Sequence, residues 1–274
     1  MDENNEEIKI TRVQSPSSIN TYKQCPRKYY YCYVEKLPTK PSIHLVRGKI
    51  AHSVLEDFFK FDINKVPKDS YEIIFKVILN DLLNKYWNDS SEELDKLDMS
   101  ELDLKFYFDE TKQMIDFWFL EFNRNLVENM KQIDFKEAFK LITPKAEEYY
   151  KSEKYGIQGY IDAIFDSNGI IKIIDYKTSK RAYMSDAYRL QLAIYAMLYH
   201  EKHGKIPDIV GIHFLRFSEN NLNADMDMVE FAKKECKLIH KNTQSKDIND
   251  YCKKTSPLCK WRTGQCDFHS KCFK

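Results

Sequence analysis

Three side chains near the middle of the chain have the types and spacing to do phosphate chemistry. Asp175 and Lys177 are two apart in a run rich in β-branched residues, 170–177, and Asp162 lies in a similar run, 156–165. Side chains on a strand alternate faces, so Asp175 and Lys177 point the same way. Asn168-Gly169 between the runs is a hairpin signal, because both types tolerate the positive φ of a tight turn. Folded so, the hairpin brings Asp162 beside Asp175 and Lys177. Two carboxylates offer hard oxygen ligands to a cation such as Mg²⁺, which keeps several waters and readily takes phosphate oxygens. A bound cation acidifies a coordinated water, and a neighbouring lysine orients it and offsets charge developing on a phosphate. A lone Asp-x-Lys also occurs by chance on ordinary charged surface hairpins, so the elements around it decide.

Those elements can be read from patterning. After Lys177, a basic loop with Lys180 and Arg181 leads to a helix over 186–199, on which Gln191 and Tyr195 are four apart. An alternating strand over 209–217 follows, and strand, helix, strand implies a crossover unit in a mixed sheet. Residues 146–150 are expected to form the first strand. Upstream, 45–61 reads as a helix with an apolar face of Ile50, Val54, Leu55, Phe58 and Phe59. His52 and Glu56 share another face, Gly48 permits close backbone approach, and Arg47 is placed to meet a phosphate. A single helical histidine is more often structural or solvated than a ligand. Amphipathic helices over 71–87 and 102–129, joined by an acidic, solvated connection, make a helical insertion. Ser15 and Pro16 open a short helix that Pro26 ends near Cys25. Arg27 and Lys28 beyond it could touch phosphates, while the nearby tyrosines are expected mainly in the core.

At 274 residues and 43% hydrophobic, the chain can bury one sizeable core. Its net charge of +1 means that a polyanionic partner needs local basic patches. The acidic N-terminus resembles no signal or transit peptide and no apolar run reaches a membrane span, so a soluble, cytoplasmic protein with no membrane partner is expected. There, cysteines are reduced or metal-bound. Cys252, Cys259, Cys266 and Cys272 crowd the C-terminal end, and clustered thiolates suit zinc or an iron–sulfur cluster.

Taken in order, these motifs resemble the RecB-like branch of the PD-(D/E)XK nuclease superfamily, and within it the CRISPR-associated exonucleases with an iron–sulfur cluster. The resemblance runs from about Ser15 to Cys272. It rests on Gly48-x-x-x-His52-x-x-x-Glu56, Gly159-Tyr-Ile-Asp162, Asp175-Tyr-Lys177 and Gln191-Leu-Ala-Ile-Tyr195. It implies an α/β fold, a restriction-endonuclease-like mixed sheet flanked by helices, with a helical insertion and a cysteine-rich C-terminal staple. By the same resemblance, His52, Asp162, Asp175 and the carbonyl of Tyr176 hold Mg²⁺ or Mn²⁺, the imidazole making Mn²⁺ a natural choice. Lys177 positions the attacking water and helps deprotonate it, Gln191 and Tyr195 brace the site or contact the strand, and Arg47, Lys180 and Arg181 meet phosphates. Cys25, Cys259, Cys266 and Cys272 would ligate a [4Fe-4S] cluster. The six residues between Cys259 and Cys266 break the usual spacing, so Cys252 as a ligand, zinc, or no metal there stay open.

The implied activity is a metal-dependent DNA nuclease, exonucleolytic on single strands or free ends. Its settings would be repair, recombination or CRISPR adaptation, with CRISPR adaptation proteins or a helicase as partners. The competing classes are a non-catalytic DNA-binding or assembly subunit and an iron–sulfur redox or structural protein. The expected organisation is a flexible tail (1–14), an N-terminal helical segment (15–62), the insertion (63–143), the nuclease core (144–230) and the cysteine-rich segment (231–274).

Overall fold

Caps and prolines start the first helices where the sequence requires. In the computed structural model, which describes residues 9–262 and 264–273, Ser15 accepts the Ser18 N–H and Pro16 opens α1 (Pro16–Gln24). Pro26 opens α2 (Pro26–Tyr29), which widens into a π-turn. Then come α3 (Ile43–Phe58), α4 (Tyr71–Asp89), the short α5 (Ser91–Asp95), α6 (Glu101–Asn129) and α7 (Phe135–Ile142). The sheet is built from β1 (Lys145–Ser152), β2 (Ile157–Ser167), β3 (Ile170–Lys177), β4 (Ile209–Phe214) and β5 (Glu219–Asn223), in that spatial order. Between β3 and β4 runs α8 (Asp186–His203), and α9 (Met226–Asn242) follows β5. The chain closes with the small hairpin of β6 (Lys260–Trp261) and β7 (Gly264–Gln265), then α10 (His269–Cys272).

Asn168 and Gly169 take φ of 55° and 87°, the left-handed pair that a two-residue hairpin needs, so β2 and β3 are antiparallel. The α8 crossover makes β3 and β4 parallel, while β1–β2 and β4–β5 are antiparallel. One sheet face is covered by α3, α4, α6 and α7, centred on Phe58, whose ring lies 5.4 Å from those of Phe75, Trp118 and Phe122. The other is covered by α8 and α9 with Ile19 of α1.

Three expectations change. Gln14, placed at the end of a tail, is buried: it bridges to Ile157 and its amide donates to Tyr29 Oη at 2.8 Å. Residues 1–8 of that tail lie outside the described residues. The acidic connection contains α5, which buries Leu94. The strand expected to reach 217 ends at Phe214, and β5, polar and without alternation, supplies the sheet edge. Among the described residues, no helix is long and apolar enough to cross a membrane.

Candidate active site

The sheet ladder breaks where the acids sit. β1 and β2 pair Ala146 with Ala163 and Glu148 with Ile161, leaving Glu147 and Asp162 out, and the β2–β3 pairing stops at Ala163 with Ile174. Glu147 has φ of 50°, a left-handed conformation uncommon for a glutamate. Freed from the ladder, the two carboxylates meet His52 of α3, with one ligand atom from each of the three within 4.8 Å of the others. His52 Nδ1 lies 3.3 Å from Asp162 Oδ2, and Nε2 lies 2.9 Å from the Tyr176 carbonyl. The Tyr176 N–H donates to Asp162 Oδ2 at 2.8 Å, so the backbone of one residue orients both ligands through its N–H and its carbonyl.

Asp175 sits just behind this group, 1% exposed. Its Oδ1 accepts from Gln191 Nε2 at 2.7 Å and from Tyr195 Oη at 3.4 Å. Oδ2 lies 2.5 Å from Lys177 Nζ, a contact of charge that leaves no well-directed hydrogen bond on that buried oxygen. α8 can do this because residues four apart on a helix share a face, and Gln191 also donates to Tyr195 Oη at 2.8 Å.

The electrostatics follow from crowding. Burial opposes a charged His52, but Asp162 and Asp175 outweigh it and lift its pKa to about 9. Both ring nitrogens face acceptors, as an imidazolium requires. Burial, with Asp162 beside it, lifts Glu147 to about 7. Burial likewise lifts Asp175 to about 6, against the pull of Lys177. For Asp162, burial is overcome by His52 and Lys177, and its carboxyl stays below the usual range. Burial is also overcome at Lys177, whose ammonium Asp175 and Asp162 hold above its ordinary value. Three acids around two cationic side chains leave excess negative charge. An imidazole, carboxylates and a peptide carbonyl form a mainly oxygen donor set, which fits Mg²⁺ or Mn²⁺, and Asp175 Oδ2 still has a lone pair to give.

A model of the PD-(D/E)XK nuclease superfamily matches residues 14–272. The chain belongs to this superfamily. The fold is the restriction-endonuclease-like mixed sheet that its motifs imply. Among solved structures, the chain is similar to a Eubacterium rectale protein described provisionally as an exonuclease, with 12% identity over 87% of this chain and 84% of that one and a TM-score of 0.47. It is also similar to SSO0001, with 16% identity over 72% and 89% of the two chains and a TM-score of 0.26. No curated protein matches.

In this PD-(D/E)XK nuclease, His52, Asp162, Asp175, Tyr176, Lys177, Gln191 and Tyr195 all come together, while the tightest group takes Glu147 in place of Asp175. Sequence reading missed Glu147, and its only signal is a place opposite Asp162 in the β1–β2 register. Arg47 departs from expectation. It is 2% exposed, its Nη1 lies 2.6 Å from Glu110 Oε2, and Arg216 Nη2 approaches the same oxygen at 2.9 Å. A buried guanidinium must be paired, so the long helix α6 takes the charge expected to meet phosphate. Its Nη2 donates to the Thr178 carbonyl at 3.5 Å, tying the loop after Lys177 to α3. Lys180 and Arg181 are exposed on that loop. Burial and then Arg47 and Lys180 hold the His44 pKa down, against the pull of Glu110.

The cleft, about 600 Å³, is lined by His44, Gly48, His52, Glu147, Asp162 and Lys177. A methyl at Gly48 would lie 3.8 Å from Thr178 Oγ1, so α3 approaches this loop but not at the limit of contact. A larger hollow, about 710 Å³, lies under α6 against Lys172 and His213. No group of three ligand atoms gathers there among the described residues, so chemistry points to the smaller cleft.

None of the seven cysteines is in a disulfide. The C-terminal segment returns to α2, where the Arg27 N–H donates to the Cys252 carbonyl at 3.2 Å and Arg27 Nε to that of Tyr251 at 2.7 Å. Burial raises the Cys272 thiol pKa, and so do Cys25 and Cys259, which places those three in one neighbourhood. The Cys266 N–H donates to the Cys259 carbonyl at 3.0 Å. Among the described residues, no three sulfurs lie within 4.8 Å of one another.

Proposed function

We propose that this nuclease hydrolyses DNA phosphodiester bonds, in single strands or at free ends, with Mg²⁺ or Mn²⁺ held by His52, Asp162, Asp175 and the Tyr176 carbonyl, and with Glu147 as a further ligand. The convergence of His52, Glu147 and Asp162 beside the Asp175–Lys177 pair carries this reading. When bound, the cation supplies Lewis-acid polarisation of the phosphate and a water acidic enough to lose its proton near neutral pH. The chain's own residues do the rest. Lys177, kept as an ammonium by Asp175 and Asp162, donates to the attacking water to orient it and offsets charge on the phosphate, while the proton lost by the water passes to solvent. Gln191 and Tyr195 hold Asp175 Oδ1, which fixes Oδ2 toward Lys177. Lys180 and Arg181 meet backbone phosphates. Labelled single-stranded and duplex DNA, incubated with Mg²⁺, Mn²⁺ or chelator, test the reading. Metal-dependent cleavage is expected, and cleavage that persists in chelator contradicts it.

Cys25, Cys259, Cys266 and Cys272 hold a [4Fe-4S] cluster in this reading. Cys25 and Cys259 lie near enough to raise the Cys272 thiol pKa, and thiolates gathered in this way support a metal-holding role. Protein purified without oxygen should be brown and contain iron and sulfide, and a colourless, iron-free preparation overturns the assignment. The pathways that use such an enzyme are repair, recombination or CRISPR adaptation, with a helicase or an adaptation protein as partner. Co-purification from cells with either kind of partner is the test of that setting.

A further inference from the structure

An open stretch of sheet leads away from the metal-ligand group. A Cβ at Gly159 would meet Tyr195 and Pro16 at 3.5 and 3.6 Å, so on β2 residue 159 faces α8. By alternation Gln158, Tyr160 and Asp162 face the other way, toward α3. On β1, Tyr150 is buried in the α8-side cluster, so Tyr149 and Lys151 also face away from it. Tyr149 pairs with Tyr160, and Lys151 with Gln158. Three successive rows therefore cross these strands: Glu147 with Asp162, then Tyr149 with Tyr160, then Lys151 with Gln158. The two rings are 43% and 57% exposed, with centroids 5.2 Å apart and planes inclined by 51°. Tyr149 Oη donates to Gln158 Oε1 at 3.1 Å, which fixes that ring.

We propose that Tyr149 and Tyr160 form a base-stacking platform that selects unpaired strand for the adjacent site, with Lys151 exchanging its surface pairing with Glu153, at 2.5 Å, for a phosphate farther along. This rests on the nuclease reading above. Two residues of strand advance roughly 6.6 Å, so the rings lie about one nucleotide from the acid row. The order of acids, rings and lysine matches a strand that places its scissile phosphate at the cation, a neighbouring base on the rings and a further phosphate at the ammonium. Stacking on an aromatic ring tolerates every base because every base has a π-face. In a duplex those faces are already covered by the neighbouring pairs. The platform therefore gives preference for single strands without sequence preference.

The test compares cleavage of a normal oligonucleotide with that of an abasic one of equal length, in the presence of Mn²⁺. Wild type should cleave the base-bearing strand more efficiently by about 5- to 150-fold, the range for stacking one base. Tyr149→Ala/Tyr160→Ala should bring this ratio close to one, and Tyr149→Phe/Tyr160→Phe should keep it. The ratio is internal to each protein, so a lower folded fraction does not move it. A wild-type ratio near one, or an alanine variant with the wild-type ratio, overturns the platform and leaves the nuclease reading standing. Absence of metal-dependent cleavage of either strand by wild type overturns the nuclease reading itself, and the platform with it.

Discussion

Glu147 holds a left-handed backbone inside a strand, a conformation that costs on the order of 1–3 kcal/mol, and it faces another carboxylate. Strain and repulsion together make this position costly to the fold, as expected of the metal ligand proposed here. Glu147→Gly should raise the melting temperature of the metal-free protein by a few degrees and weaken Mn²⁺ binding, both readable in melts with and without the ion. The protonation of the site makes a second prediction. His52, Glu147 and Asp175 all have folded pKa values above their ordinary ones, about 9, 7 and 6. Each stabilises the fold below its unfolded pKa and loses that contribution as pH rises through the folded one. Burial lowers His213 to about 4, which adds stability as pH rises from about 4 to about 6.5 and opposes the two acids there, so the metal-free protein should lose stability mainly from about pH 7 to about pH 9, where His52 titrates. Because a divalent ion competes with those protons, the melting shift produced by Mn²⁺ should be larger at about pH 8.5 than at about pH 6, and equal shifts would contradict this protonation scheme. Asp175, Lys177, Gln191 and Tyr195 were legible because two- and four-residue periods are local rules. Glu147 and Arg47 were not, since the first depends on a break in register and the second on Glu110, far away in sequence.

At the scale of elements, α3 has two tasks that share one helix. It presents His52 to the acids and plugs Phe58 into the rings of α4 and α6. Phe58→Ala should destabilise the protein by about 3–5 kcal/mol through the cavity it leaves, as measured by denaturant unfolding. A cost under about 1 kcal/mol would show that the helical layer holds α3 without it. The β2–β3 hairpin, α3, α6 and α8 were readable from turn chemistry and helical periodicity. β5 was not, because an edge strand need not alternate, and its residues Glu219–Asn223 are nearly all polar.

Across the whole molecule, the two ends of the described chain meet. Tyr29 stacks on Tyr251 with centroids 6.1 Å apart, Tyr31 lies against Phe268, and Lys271 pairs with Glu35. The grouping of the C-terminal cysteines was visible in the sequence, while their return to Cys25 and α2 was implied only by the family resemblance, because no local pattern encodes a contact over more than two hundred residues. If the cluster staples this junction, Cys272→Ser should remove iron and lower the melting temperature while leaving Mn²⁺ affinity at the acidic site unchanged. Loss of both together would place the two centres in one cooperative unit.

Hydrolysis at the His52, Asp162, Asp175 and Lys177 group is the claim on which the rest depends. Its most direct test is Mn²⁺-dependent cleavage of a labelled single-stranded oligonucleotide by wild type, Asp175→Asn and Lys177→Ala, each checked for fold by melting. Wild type should cleave, and each variant should fall by at least about 100-fold, the scale for removing one charge-stabilising group from a reacting centre. A folded Lys177→Ala protein that cleaves at the wild-type rate would contradict the account.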